Sequence, residues 1–176
     1  MGTFNNKVEA EFNPPKSWTL SRALSYKNEK IDESSLLPIG VKVTANRISV
    51  KKGFKTDLAS VPRIMWNLIA PWDIARAAII HDYLYKSIRL YRLDCKRKTI
   101  PFEDPIKINS AKKAADKVFL MGMFDADPSV PKWKIYPAYW AVHLFGKWSI
   151  IPRKMKCGCE EDCSCDGTCK GKCECS

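Results

Sequence analysis

A chain of 176 residues, 45% of them hydrophobic and 28% charged, has enough apolar material for one packed core and is too apolar for a disordered chain. Its formal charge of +11 is unevenly spread: residues 1–156 carry 28 basic and 14 acidic side chains, and residues 157–176 carry 2 and 5. The apolar runs are far too short to span a bilayer, residues 1–10 hold no apolar signal core, and Asn6 stands where a myristoylation site has Ser or Thr. A protein that is not transmembrane, made in a cytoplasm, is therefore expected. A basic body with a slightly acidic tail suggests contact with nucleic acid, anionic lipid or an acidic protein, against the simpler alternative of a basic surface without a specific partner.

In chain order, residues 7–12 alternate weakly before Pro14-Pro15, as a short strand ended by a turn does. Trp18, Leu20, Arg22, Leu24 and Tyr26 alternate with small or polar residues and read as one half-buried strand, with an odd arginine on its apolar face. Residues 28–35 read as a polar loop. Residues 39–43 and 48–50 alternate across Ala45-Asn46-Arg47, a hairpin pattern, and Gly53 closes the second strand. The N-terminal third is thus a small antiparallel sheet.

Beyond residue 73 a helical period takes over. Ile74, Ala77, Ala78 and Leu84 recur at close to 3.6 residues, with Asp73 as N-cap after Pro71-Trp72. On this helix His81 and Asp82 stand side by side, and Tyr85 returns to the histidine face four residues on. Residues 89–107, with Arg89, Arg92, Lys96, Arg97 and Lys98, read as a long basic connection that also holds Cys95. A second helix over 110–124 supplies Asp116 and Phe119. A third starts near Pro137, a residue suited to a first helical turn, and runs through Tyr139, Trp140, His143 and Phe145 to Gly146. Its aromatic stripe is continuous rather than interleaved with basic residues, so it reads as core or subunit contact and not as a platform for bases. His143 has no neighbouring carboxylate in the sequence and reads as a core or surface histidine.

The expected architecture is α+β: a small N-terminal antiparallel sheet packed with about three helices, in a single domain over 1–156, followed by an irregular cysteine-rich tail over 157–176. If the first two helices pack, Asp57, His81, Asp82 and Asp116 converge. The alternative is a helix-surface pair, or a core histidine held by a carboxylate.

Seven of the eight cysteines, Cys157, Cys159, Cys163, Cys165, Cys169, Cys173 and Cys175, crowd the last twenty residues, which contain no aliphatic or aromatic side chain. Cys-x-Cys pairs close strained disulfide rings, and an odd count leaves one thiol over. Dense thiolates on a core-less peptide resemble metallothionein. They suit zinc or another thiophilic metal, with an iron-sulfur cluster as an alternative, in the structural role of ordering the tail.

The series Phe54-x-Thr56-Asp57-Leu58-Ala59-Ser60-Val61-Pro62-Arg63, Trp66, Ala77-Ala78-x-x-His81-Asp82-x-Leu84-Tyr85, Ala115-Asp116-x-x-Phe119, Met123 and Ala141-Val142-x-x-Phe145-Gly146 resembles the phage and prophage family catalogued as domain of unknown function 1353, over about residues 40–148. Lys112 departs from the arginine expected ahead of the Ala-Asp pair, and the cysteine tail lies outside the pattern. The resemblance implies a structural component of a tailed-phage particle (tail, baseplate or neck), located in the virion and touching other phage structural proteins. A second resemblance is local. His81-Asp82-x-x-Tyr85 followed by Asp116 on a second helix is similar to the active-site signature of phospholipases of the A2 type. It implies His81 as general base, Tyr85 and Asp116 orienting it, and calcium at Asp82 with Asp57 as a substitute ligand, because the glycine-rich calcium loop is absent. The alternative function is therefore a calcium-dependent ester hydrolase acting on a host envelope lipid.

Overall fold

The computed structural model describes residues 1–5, 7–14, 17–56, 74–96 (without the Lys96 side chain), 104–126 and 129–152. Asp57 and the seven tail cysteines lie outside the described residues. Among the described residues up to Thr56, short antiparallel strands build two sheets: β1 (Thr3–Phe4), β2 (Ala10–Asn13), β3 (Ser17–Leu20), β4 (Leu24–Lys27), β5 (Val43–Thr44), β6 (Arg47–Val50) and β7 (Lys55–Thr56). The strand orders are β1-β4-β6-β5 and β2-β3-β7. With α1 (Glu33–Leu36), α2 (Ala75–Lys96), α3 (Pro105–Phe124) and α4 (Lys132–Ser149), this is the α+β architecture expected from the sequence.

The predicted hairpin forms. Val43 lies opposite Ile48, and the two turn residues, Ala45 and Asn46, have φ of 50° and 57°, the primed geometry whose twist matches that of the strands. The single strand expected over 18–26 does not form. It is two strands in different sheets: β3 pairs with β2 and β7, β4 with β1 and β6. The chain bends at Ser21 and Arg22, where Arg22 points outward to Glu9 at 3.3 Å instead of occupying an apolar face. Within the stretch expected as a loop, Asp32 caps α1 through its carboxylate and the Ser35 N–H.

The helices are longer than the sequence reading placed them. α2 continues to Lys96 because Leu84, Ile88 and Tyr91 keep a helical period of buried residues through the basic stretch. Arg89 and Arg92 are therefore helical. Their guanidinium groups donate to the Ser149 and Ile150 carbonyls at 2.9 and 3.0 Å, meeting the unpaired C-terminal end of α4. α3 starts at Pro105 behind an Asp104 N-cap that accepts from the N–H groups of Ile106 and Lys107. α4 starts five residues before Pro137, which lies inside the helix.

α2 packs on β4 and β6 on one side and on α3 on another, and α3 packs on α4. The α2–α3 contact is close because small residues meet there: Ala77 and Ala78 face a helix bearing Ala111, Ala114, Ala115 and Gly122. A Cβ on Gly122 would lie 3.0 Å from the Ala77 Cβ. At the far end of α3, the Asp125 carboxylate accepts from the Gly2 N–H at 2.9 Å, the Tyr26 hydroxyl at 2.6 Å and the Asn28 amide at 3.0 Å, tying the N-terminus and β4 to the helix.

The candidate active site: two imidazoles on one buried carboxylate

Helical spacing sets the site. On α2, His81 and Tyr85 are four residues apart and their rings lie 3.9 Å apart between centroids. On α3, Lys112 and Asp116 have the same spacing, and Phe119 closes the His81 ring from the third side at 5.1 Å. The close α2–α3 approach lets a short aspartate bridge the helices. Asp116 Oδ1 lies 3.4 Å from His81 Nε2 and accepts from the Tyr85 hydroxyl at 2.7 Å. Asp116 Oδ2 accepts from Lys112 Nζ at 2.7 Å and lies 2.9 Å from Nδ1 of His143, on α4. Four donors thus meet the four lone-pair positions of one carboxylate, and Asp116 is fully buried.

Electrostatics follow from that arrangement. Burial alone would raise the Asp116 carboxyl, but His81, and then Lys112 and Tyr85, outweigh it and hold the group well below the ordinary carboxylate range. Burial pushes His81 down from the ordinary imidazole value, against the pull of Asp116 and with the help of the Lys112 charge. Burial, and then the Asp116 charge, push Tyr85 far up, so its hydroxyl stays a donor. His81 is therefore a neutral imidazole at pH 7, with Nε2–H on Asp116. Its Nδ1 is then a lone pair, and this buried atom has no hydrogen-bond partner among the described residues. Buried ring nitrogens are ordinarily paired, and an unpaired basic one beside an anchored Nε2 has the form of a general base.

Of the four residues expected to converge, His81 and Asp116 meet, Asp57 lies outside the described residues, and Tyr85, expected on the histidine face, joins the pair through Asp116. Asp82, beside His81 in the chain, does not join the Asp116 cluster: it is half-buried and accepts from the Thr56 hydroxyl of β7. Among the described residues no group of three His, Cys, Asp or Glu side chains is placed to hold a metal ion. Sequence reasoning missed two participants. Lys112, counted only as a departure from a pattern, is buried and also donates to the His143 carbonyl at 3.0 Å; its position four residues before Asp116 was a usable signal. His143, read as lacking a carboxylate, has one on another helix, 27 positions away, which no local pattern announces. Its side chain is 33% exposed, so its ring reaches the surface while Nδ1 stays on Asp116.

Gly146 is part of the site although it carries no side chain. A Cβ there would collide with the Tyr85 hydroxyl and lie 3.0 Å from the ring carbon that bears it, so glycine is what allows α4 to close over Tyr85. Near the same end of α4 a cleft of about 390 Å³ is lined by Arg92, Asn109, Lys112 and Lys147 together with Pro105 and Ile108.

No curated protein matches this chain, and no solved structure does. A family model does match, over residues 18–142, so it begins further upstream than the motif series from about residue 40 and takes in β3, β4 and β6 as well as Thr56, His81, Tyr85, Lys112 and Asp116. The chain that folds this carboxylate between two imidazoles belongs to the family described as Protein of unknown function (DUF1353).

Proposed function

We propose that this site hydrolyses an ester, with His81 as general base. The observation that carries the reading is the state of the His81 ring: Nε2 anchored on a carboxylate kept ionised, and Nδ1 buried without a partner. In the proposed step His81 Nδ1 removes a proton from a water as the water oxygen bonds to the ester carbonyl carbon. Asp116 fixes the tautomer and steadies the imidazolium that forms. The tetrahedral intermediate then expels the alcohol oxygen, which takes the proton back from Nδ1, leaving acid and alcohol. Tyr85 and Lys112 are positioning residues that hold Asp116 in place.

The order of His81, Tyr85 and Asp116 supports a likeness to phospholipases of the A2 type, and an envelope lipid is the substrate class proposed. Calcium chemistry is a separate matter. Asp82 offers one carboxylate, which accepts from the Thr56 hydroxyl, and among the described residues it is not joined by two further His, Cys, Asp or Glu side chains in a metal-holding group.

The test is hydrolysis of a phospholipid in mixed micelles, with and without added calcium. Wild type is expected to turn over and His81→Asn to lose at least about a hundredfold in kcat/KM, the usual contribution of a positioned base. A wild-type protein inactive in both conditions, or a His81→Asn variant as active as wild type, ends the reading.

A second reading, a structural component of a tailed-phage particle, is favoured by the large apolar side chains α4 exposes and by the phage and prophage distribution implied by the motif series. Its test is copy number. Stoichiometric presence in purified particles is expected, and presence only in the infected lysate overturns it.

A further inference from the structure

α4 is apolar on two opposite faces. Ile135, Ala138, Val142 and Gly146 are buried against the rest of the protein. Trp133, Trp140, Leu144 and Trp148 follow at intervals of seven, four and four residues on the opposite side, and the three tryptophans are 61%, 54% and 66% exposed. At 1.5 Å per residue the stripe is about 22 Å long. Tyr136 lies along its edge and packs edge-on against Phe124 at 5.9 Å, widening the patch, and Phe145 is exposed as well. The helix carries Lys132, Lys134 and Lys147 and no acidic side chain. Lys134 lies over the Trp133 ring at 5.5 Å. Near its C-terminal end Lys147 lines a cleft together with Arg92, a second basic side chain on that side of the helix.

We propose that this face docks on an anionic lipid bilayer. Charge decides between the occupants that a wide aromatic patch admits. An isologous contact between two copies would bring two sets of lysines together without a compensating carboxylate from either α4, whereas a bilayer with anionic headgroups meets both the rings and the cations. Tryptophan suits that boundary: its body is apolar and its N–H needs a wet partner. Basic residues flanking an aromatic face are what hold a helix in the plane of a membrane surface. No helix among the described residues is long and apolar enough to cross a bilayer, so the contact lies on the surface and does not span it. The inference deepens the lipid-ester reading by placing the substrate's source. His143, bonded to Asp116, sits at the edge of the stripe with its ring 5.9 Å from that of Trp140, so the docked helix is also the one that closes the site.

The experiment is flotation of the full chain with vesicles of ether-linked phospholipid, which bind without being hydrolysed, made either wholly zwitterionic or with an equal share of anionic lipid. Wild type is expected to float with the anionic vesicles, to shift its tryptophan emission to shorter wavelength and to dissociate as salt rises. Trp133→Ser/Trp148→Ser and Lys132→Glu/Lys147→Glu are each expected to weaken binding about tenfold or more. All four positions are exposed, and an unchanged thermal melt verifies that each variant is folded. Absence of flotation with anionic vesicles, flotation that both variants leave intact, or a concentration-dependent dimer abolished by the tryptophan changes overturns the proposal, the last assigning the face to a second copy. Micellar hydrolysis without vesicle binding defeats this inference alone, and vesicle binding without hydrolysis of any ester defeats the hydrolase alone.

Discussion

Asp116 carries two histidines, a lysine and a tyrosine, and removing its charge strands the most expensive of them. In Asp116→Asn the Lys112 ammonium stays buried with only the His143 carbonyl among its present acceptors. Losing one partner of a buried pair typically costs about 3–5 kcal/mol, the expected drop in unfolding free energy by denaturant titration. Replacing both charges, in Asp116→Asn/Lys112→Met, should recover part of that loss, and a double variant less stable than the single one would count against the ion pair as the cause.

The pH dependence at the same residues has a definite sign. His81 is lowered in the folded state from its ordinary value of 6.5. Below that value the unfolded chain takes up a proton the folded one does not, and stability is lost as pH falls through the folded value. Asp116 is lowered from 3.8, so its contribution is present above that value and is also lost as pH falls. Thermal melts should therefore drop steadily from pH 7 downward, with the upper part of the drop absent in His81→Asn. In the hydrolysis assay the acid limb of kcat/KM should lie below the ordinary imidazole range; a limb at or above it contradicts a buried neutral base.

At the scale of elements, the test of α4 is Gly146→Ala. The added methyl meets the Tyr85 hydroxyl, so Tyr85 must leave Asp116 or α4 must retreat. Overpacking of this kind costs about 1–3 kcal/mol, and the activity loss should exceed that of Tyr85→Phe, which removes one hydrogen bond and leaves the helices in place. In the β5–β6 turn, Ala45 has a left-handed backbone at φ 50°, a conformation that costs an L-residue roughly 1–2 kcal/mol. Ala45→Gly should accordingly raise stability by roughly 0.5–1 kcal/mol after the entropy of the added glycine is counted, read as a higher melting temperature. The elements also show where periodicity misleads. The alternation of residue types over 18–26 gives no sign of the change of sheets: Leu20 and Leu24 are buried on either side of a bend at which Arg22 and Ala23 are exposed. The basic stretch after residue 88 resembles a loop by composition, yet it remains helical because Ile88 and Tyr91 stay buried.

For the whole molecule, the composition of the tail sets it apart from the rest of the chain. Its seven cysteines, with no apolar residue between them, are proposed to bind zinc or another thiophilic metal, which would order a peptide that cannot bury itself. Elemental analysis of protein purified under reducing conditions should find tightly held metal, and cutting the chain after Lys156 should remove it. Metal-free full-length protein would sink the proposal.

What the amino-acid order determined by itself is everything carried by contacts near in sequence: the α+β class, the β5–β6 hairpin, the helices around His81 and Asp116, and the pairing of His81 with Tyr85 on one face. The tertiary structure decided the rest. It placed Asp116 between two imidazoles, brought in His143 from a third helix, and turned the tryptophans of α4 outward while its small residues went in. The reason lies in the range of the forces. Periodicity records which residues share a face, but when a helix is apolar on both faces only the shape of its neighbours selects the buried one. A carboxylate's partners across helices likewise leave no mark on the spacing of either.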